Sequence, residues 1–270
     1  MKVAVLGAGK IGSAIIKAIT ESGLAEVMAT GRREVTLENA RKLGAVATRD
    51  NRAAVEWGEV IILSVKPHHF PKVLTEVGPD AWTGKVVASV MAGVSLKTLR
   101  HYLRGAEVFR AMPNINALVK KSSTALAGDK GAEGAGVVEK IFTALGRVYW
   151  VPEDLIDAWT GLAGSGPAYI AEIVDGLILG ALAVGMPRDL AFETILDVLE
   201  GTAELLRKYR MHPAQMRDEV TTPAGTTIAG LSILEAEGVK AALIKTVKAA
   251  TERAAEINKL IDARIRNHGL

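Results

Sequence analysis

Glycines at Gly7, Gly9 and Gly12 follow an apolar run, Val3 to Leu6, and open a helical pattern from about Ile11 to Ser22. The chemistry this spacing allows is capture of a pyrophosphate. Gly7 permits a tight strand-to-helix turn, a side chain at Gly9 would block the phosphates, and Gly12 lets the helix lie close on the strand. The helix points its positive N-terminal end at the anion. Gly7, Gly9, Lys10, Ile11 and Gly12 are therefore candidate cofactor contacts of a dinucleotide-binding turn.

The second strand signal, residues 25–30, ends in Gly31-Arg32-Arg33. A site built for NAD usually carries Asp or Glu at this place to bind the ribose 2′-hydroxyl. Here no carboxylate occurs until Glu34, and Arg32 and Arg33 offer planar donor forks suited to phosphate oxygens. The pattern predicts NADPH as the cofactor, with NADH the less favoured alternative.

A second stretch with chemical potential is Thr221-Thr222-Pro223-Ala224-Gly225-Thr226-Thr227-Ile228. Small and hydroxyl residues precede an apolar run, so a helix is expected to start near Thr226 or Thr227. Its free backbone N–H groups and the hydroxyls would make a receptor for a small carboxylate. N-capping by threonine, worth about 1 kcal/mol, accounts for the same residues equally well. Gly164-Ser165-Gly166 resembles a hydrolase nucleophile elbow only superficially, because Ala163 and Pro167 stand where that motif needs glycine. Its glycines suit close backbone approach. The five histidines lack the i, i+4 spacing of a helical metal site, so no metal is expected.

Alternating signals position these residues. Strands are expected at 3–6, 25–30, 45–48, 60–65, 85–90, 108–111, 123–127 and 147–151, with helices over 11–22, 38–43 and 52–57. That alternation predicts a parallel sheet covered by helices on both faces. Ligands of such sheets lie beyond the carboxyl ends of the strands. Lys66-Pro67-His68, Ala92-Gly93-Val94 and Arg110 to Asn114 should therefore line the cofactor crevice. From about Pro152 apolar residues recur at helical spacing, with helices expected at 154–184, 189–210, 227–236 and 239–267. The reading is α/β, an N-terminal Rossmann-type doubly wound sheet (1–152) followed by an all-α C-terminal domain (153–270). Several apolar faces in the second domain predict burial against another subunit.

Composition bounds the rest. The 270 residues are 49% hydrophobic and 23% charged, as in a globular protein. A net charge of +3 without a basic block gives no nucleic-acid footprint. With no cysteine, disulfides and thiolate chemistry are excluded. A glycine turn at residue 7 leaves no room for a signal peptide, and cytoplasmic residence is expected. The apolar stretch 170–186 contains Glu172 and Asp175, which argues for a buried helix rather than a membrane span.

Taken together, these segments resemble the pyrroline-5-carboxylate reductases. The resemblance rests on the glycine turn, Val65-Lys66-Pro67, Ala92-Gly93-Val94-Ser95, Arg110-Ala111-Met112-Pro113-Asn114, Gly164 to Tyr169 and above all His212-Pro213 through Leu231. It implies reduction of 1-pyrroline-5-carboxylate to L-proline, the last step of proline biosynthesis, by hydride transfer to the ring C=N carbon. It adds Val65, Lys66, Pro67, Ala92, Gly93 and Asn114 to the cofactor contacts. It gives Thr222, Gly225 and Thr226 a carboxylate-holding role and makes Thr227 the substrate-contacting threonine, whose hydroxyl is expected to bond the ring nitrogen. It further implies a homodimer with interleaved C-terminal helices, assembling further in forms such as a decamer. The sequence departs from the family pattern at Ala224 (usually glycine), Ala163 (often serine) and Asn116-Ala117 (usually Thr-Pro).

Rival readings are another imine reductase or a β-hydroxyacid dehydrogenase-like oxidoreductase, and a non-catalytic NADPH-binding protein. A hydroxyacid enzyme would present a lysine within 154–184, where there is none. A non-catalytic binder would leave the threonine loop idle.

Overall fold

The computed structural model describes residues 1–267. Eight strands form one sheet: β1 (Lys2–Leu6), β2 (Glu26–Thr30), β3 (Val46–Thr48), β4 (Val60–Leu63), β5 (Val86–Ser89), β6 (Glu107–Met112), β7 (Ser122–Ala127) and β8 (Gly146–Trp150). Their spatial order is β3-β2-β1-β4-β5-β6-β7-β8. Between them lie α1 (Lys10–Glu21), α2 (Glu34–Lys42), α3 (Asn51–Trp57), α4 (Phe70–Val77), α5 (Leu96–Tyr102) and α6 (Ala135–Thr143). The strand order reverses between β1 and β4, which creates the crevice where such sheets bind ligands.

Both faces of the sheet are covered, so the central strands read as unbroken apolar runs rather than alternating ones. Val3, Val5 and Ile62 face one core cluster, together with Ile15, Ile19 and Phe142. Ala4, Leu6, Ile61 and Leu63 face the other, with Phe70, Trp82 and Leu99.

One pairing departs from the expected parallel sheet: β7 runs antiparallel to β6, with Arg110 opposite Ala127. Only the nine residues 113–121 separate the two strands. That is too short for the crossover a parallel neighbour needs, so the chain turns back through a 3-10 segment, Ile115–Val119.

The single helix expected over 154–184 is broken. A 3-10 turn (Glu153–Leu155) leads into α7 (Ile156–Trp159), then a π-helical turn (Thr160–Gly164), then α8 (Gly166–Ala183). The cause is Pro167, which has no N–H for the carbonyl four residues back and crowds it. The Ser165 N–H closes instead on the Thr160 carbonyl, five residues back, at 2.9 Å. Helices α9 (Arg188–Tyr209), α10 (Pro213–Glu219), α11 (Thr226–Ala236) and α12 (Val239–Asn267) complete the described residues.

The molecule divides into two compact units, Met1–Pro167 with the chain from Lys248 onward, and Ala168–Val247. In the first, the end of α12 returns to the sheet domain. Ile261 and Ile265 pack on the cluster around Leu99, and Asp262 accepts hydrogen bonds from Ser95 Oγ (2.8 Å) and Ser95 N–H (3.3 Å). The second unit is helical, and its apolar residues are largely uncovered. The expected burial of 170–186 is not met within this chain, since Ile178 is the one buried residue of α8. Val184 is 85% exposed, Ile233 64% and Leu190 54%.

Candidate functional site

The glycine turn is fixed by backbone collisions that a side chain would create. Gly7 has φ +100°, and a Cβ there would lie 2.9 Å from the Ser64 and Val65 backbone. A Cβ on Gly12 would stand 2.1 Å from the Gly7 carbonyl oxygen. At Gly9 a Cβ would meet nothing within 4 Å and would stand in open space. Gly9 caps α1 without any side-chain hydrogen bond, and no acidic residue occupies the first turn. The turn is tied to β2 by Gly7 N–H to Thr30 Oγ1 (3.3 Å) and Ala8 N–H to the Thr30 carbonyl (3.0 Å).

A cleft of about 620 Å³ opens at this point, and Gly7, Gly9, Arg32, Arg33, Val65 and Lys66 all line it. Its wall carries five cationic side chains, with Arg49 and Lys72 completing the set, against one carboxylate, Glu76. Glu76 is itself engaged by Asn51 Nδ2 at 2.6 Å and Lys72 at 3.5 Å. His69, also in the wall, is held below its ordinary pKa by burial and then by the charges of His68, Arg32 and Lys72. The cleft has the size and positive charge suited to a dinucleotide's phosphates. An absent side chain at Gly9, uncapped N–H groups beside it and free guanidinium forks are the features such a cofactor needs, so the residues present fit the group.

Other expected residues lie apart from this wall. Lys10 is exposed on the first turn of α1, Ile11 is half-buried beside it, and Pro67 begins the 3-10 turn after Lys66. Ala92 is exposed, whereas Gly93 is buried at φ +79° and a Cβ there would come 2.7 Å from Ile261. Asn114 is buried, its Nδ2 donating to the Ala163 carbonyl (2.9 Å) and its Oδ1 accepting from Asn116 N–H (3.2 Å).

In the second compact unit, Gly225 is the N-cap of α11 and no side chain caps the helix. Threonine capping, the competing explanation of this loop, is therefore not what the hydroxyls do. The loop reaches this geometry through Ala224 at φ +53° and a Gly225 N–H to Thr222 carbonyl bond of 3.1 Å. A Cβ on Gly225 would collide with Thr222 Oγ1. Thr226 is exposed and Thr227 half-buried, so donors and hydroxyls at this end remain open to a ligand.

Sequence reasoning missed Arg49, Asn51, His69 and Lys72 in the cleft wall. Arg49 and Asn51 had a readable signal: they follow β3 directly, at the carboxyl end where ligands collect.

Comparison with known proteins adds family information. A family described as pyrroline-5-carboxylate reductase dimerisation matches residues 153–257. One described as NADP oxidoreductase, coenzyme F420-dependent, matches residues 2–93. The pyrroline-5-carboxylate reductase of Methanosarcina acetivorans is 37% identical over 96% of this chain and 98% of its own. A solved pyrroline-5-carboxylate reductase from Coxiella burnetii is 29% identical and superposes with a TM-score of 0.86, covering 94% of this chain and 97% of that one. The Plasmodium falciparum pyrroline carboxylate reductase, solved with NADP bound, shares the fold at 23% identity and a TM-score of 0.85, over 96% and 98% of the two chains.

Proposed function

The chain belongs to the pyrroline-5-carboxylate reductase family, and from that premise we infer that it is an NAD(P)H-dependent reductase of 1-pyrroline-5-carboxylate, forming L-proline. The observation that carries this reading is the presence, in one chain, of two uncapped helix starts with complementary chemistry. One stands beside a cationic dinucleotide cleft, the other in a hydroxyl-rich loop suited to a small carboxylate.

We assign Gly7, Gly9, Lys10, Ile11 and Gly12 to the pyrophosphate and Arg32 and Arg33 to an adenosine 2′-phosphate. Val65, Lys66, Pro67, Ala92, Gly93 and Asn114 shape the nicotinamide end. Asn114 acts there by shape, its carboxamide being already bonded on both sides. The reduced nicotinamide, when bound, supplies the hydride that the ring C=N carbon accepts. The protein's own work is orientation, which alone is worth several kcal/mol. Main-chain N–H groups of Thr226 and Thr227, with the Thr222 hydroxyl, hold the substrate carboxylate, while Gly225, its own N–H bonded to the Thr222 carbonyl, shapes the loop around it. Thr227 Oγ1 bonds the ring nitrogen and holds the imine proton, whose positive charge makes the ring carbon more electrophilic.

Residues 1–152 are read as the dinucleotide-binding domain and 153–270 as the substrate-binding and dimerisation domain. The uncovered apolar faces of α8, α9 and α11 support a homodimer built through these helices. The stretch Glu153–Ala183 is long and apolar enough to cross a membrane by composition alone. Glu172, Asp175 and the π-helical break count against that, and the proposed second subunit would cover the apolar face; we read the protein as cytoplasmic.

The test is to follow loss of reduced-nicotinamide absorbance with racemic pyrroline-5-carboxylate. Turnover requiring both components is expected. Tight NADPH binding without turnover would mean a non-catalytic binder, and turnover of a β-hydroxyacid instead would reassign the substrate. For the cofactor, NADPH is read as preferred to NADH. Replacing Arg32 and Arg33 by alanine should raise the NADPH KM about tenfold or more and leave that for NADH nearly unchanged.

A further inference from the structure

We propose that Arg49 is a positioning residue that sets the preference for a cofactor phosphorylated on its adenosine ribose. It does so by bracing the Arg32–Arg33 turn and masking Glu34. The inference rests on the reading of NADPH preference above.

The geometry is specific. β3 pairs with β2 so that Thr48 lies opposite Thr30, and the Gly31 N–H bonds the Thr48 carbonyl at 3.3 Å. Arg49 therefore leaves its strand beside the turn that follows β2. One guanidinium nitrogen donates to the Arg32 carbonyl at 3.0 Å and another to Glu34 Oε2 at 2.9 Å. A planar fork with fixed donor directions spans both ends of the turn, which a lysine ammonium cannot reproduce. Arg32 and Arg33 pair with no carboxylate among the described residues, so their forks are left for an anion.

Glu34 is the complication at this site. It is the first carboxylate after β2, close to where an NAD enzyme would use an acid, and its charge would repel a phosphate. Here its two oxygens are taken by Arg41 and Arg49, each at 2.9 Å. These two bonds hold the Glu34 carboxyl below its ordinary pKa, so it stays ionised and occupied. Both partners of the Arg49–Glu34 pair are more than half exposed, and exposed pairs add little to stability. Its effect should therefore appear in ligand selectivity rather than in folding.

Calorimetric titration of the full-length protein with NADP⁺ and with NAD⁺ tests this without turnover. Arg49→Ala should weaken NADP⁺ about tenfold while NAD⁺ stays within about twofold, with an unchanged melting temperature. Arg49→Lys should fall between, and adding Glu34→Gln to Arg49→Ala should recover part of the lost NADP⁺ affinity. A wild-type preference that survives intact in Arg49→Ala, or an equal loss for both nucleotides, overturns the role given to Arg49 alone. Equal affinities in the wild-type protein overturn the NADPH reading and the role together.

Discussion

Asn114 donates through Nδ2 to the Ala163 carbonyl at 2.9 Å, the carbonyl that Pro167, four residues on, has no N–H to serve. A side chain from the strand domain thus repairs the helix break in the Gly164–Pro167 segment. Asn114→Ala leaves that acceptor without its donor, at a cost of about 1–3 kcal/mol. Chemical denaturation should show a lower midpoint, and Asn114→Asp, which sets a carboxylate oxygen against the carbonyl, a larger loss. A wild-type midpoint in both variants would show that the bond contributes nothing.

Asp157 carries a raised pKa, chiefly because burial penalises its charge; Glu153 adds to this, while Arg110 and the hydrogen bond from Asn258 oppose it. With the folded pKa above the ordinary 3.8, the native state binds more protons than the unfolded chain between those values. Its contribution therefore falls as pH rises through that window and stays lost at neutrality. Asp157→Asn keeps an oxygen for Asn258 and removes the charge. The variant should melt higher than wild type at pH 7, the difference closing below about pH 4. A gap independent of pH would assign the effect to packing.

Ala224 sits at φ +53°, a conformation that costs an L-residue roughly 1–2 kcal/mol, part of which glycine would return as chain entropy. Ala224→Gly should raise stability by up to about 1 kcal/mol in urea titration, and Ala224→Val should lower it by more than about 1 kcal/mol. Ala224 thus adopts the left-handed conformation that glycine would take at less cost. A destabilising glycine variant would contradict the strain.

Thr227→Val removes the hydroxyl proposed to meet the ring nitrogen but keeps the backbone donor. The expected result is a kcat lower by roughly a hundredfold with a much smaller change in KM for the imine, since the carboxylate is proposed to be held by main-chain groups that the substitution leaves in place. An unchanged kcat/KM would remove the role.

What could be read from residue types was local. Gly7 and Gly12 announce themselves because their neighbours are backbone atoms two or three ångströms from where a Cβ would stand. The apolar runs of β1 and β4 are legible because both faces are buried. The antiparallel β7 was hidden, since its direction depends on a short connection rather than on the strand's own residues. Pro167 stood in plain view inside the helix expected over 154–184, but its effect was not read there, and the donor that serves the freed Ala163 carbonyl, Asn114, lies some fifty positions away. Arg49 escaped for the same reason: its partners are Arg32 and Glu34, reached only once β2 and β3 are paired.

The return of α12 to the sheet domain has a consequence for synthesis. Ile261, Asp262 and Ile265 complete a cluster and a hydrogen-bond pair whose other members lie near residues 93–102. On the ribosome the nascent dinucleotide half must wait, with that seat uncovered, until about 110 more residues have emerged, a span of roughly five to twenty seconds. Fragments ending near Pro167 would carry the same bare seat permanently, so the half that looks most autonomous along the chain is poorly suited to recombinant production by itself.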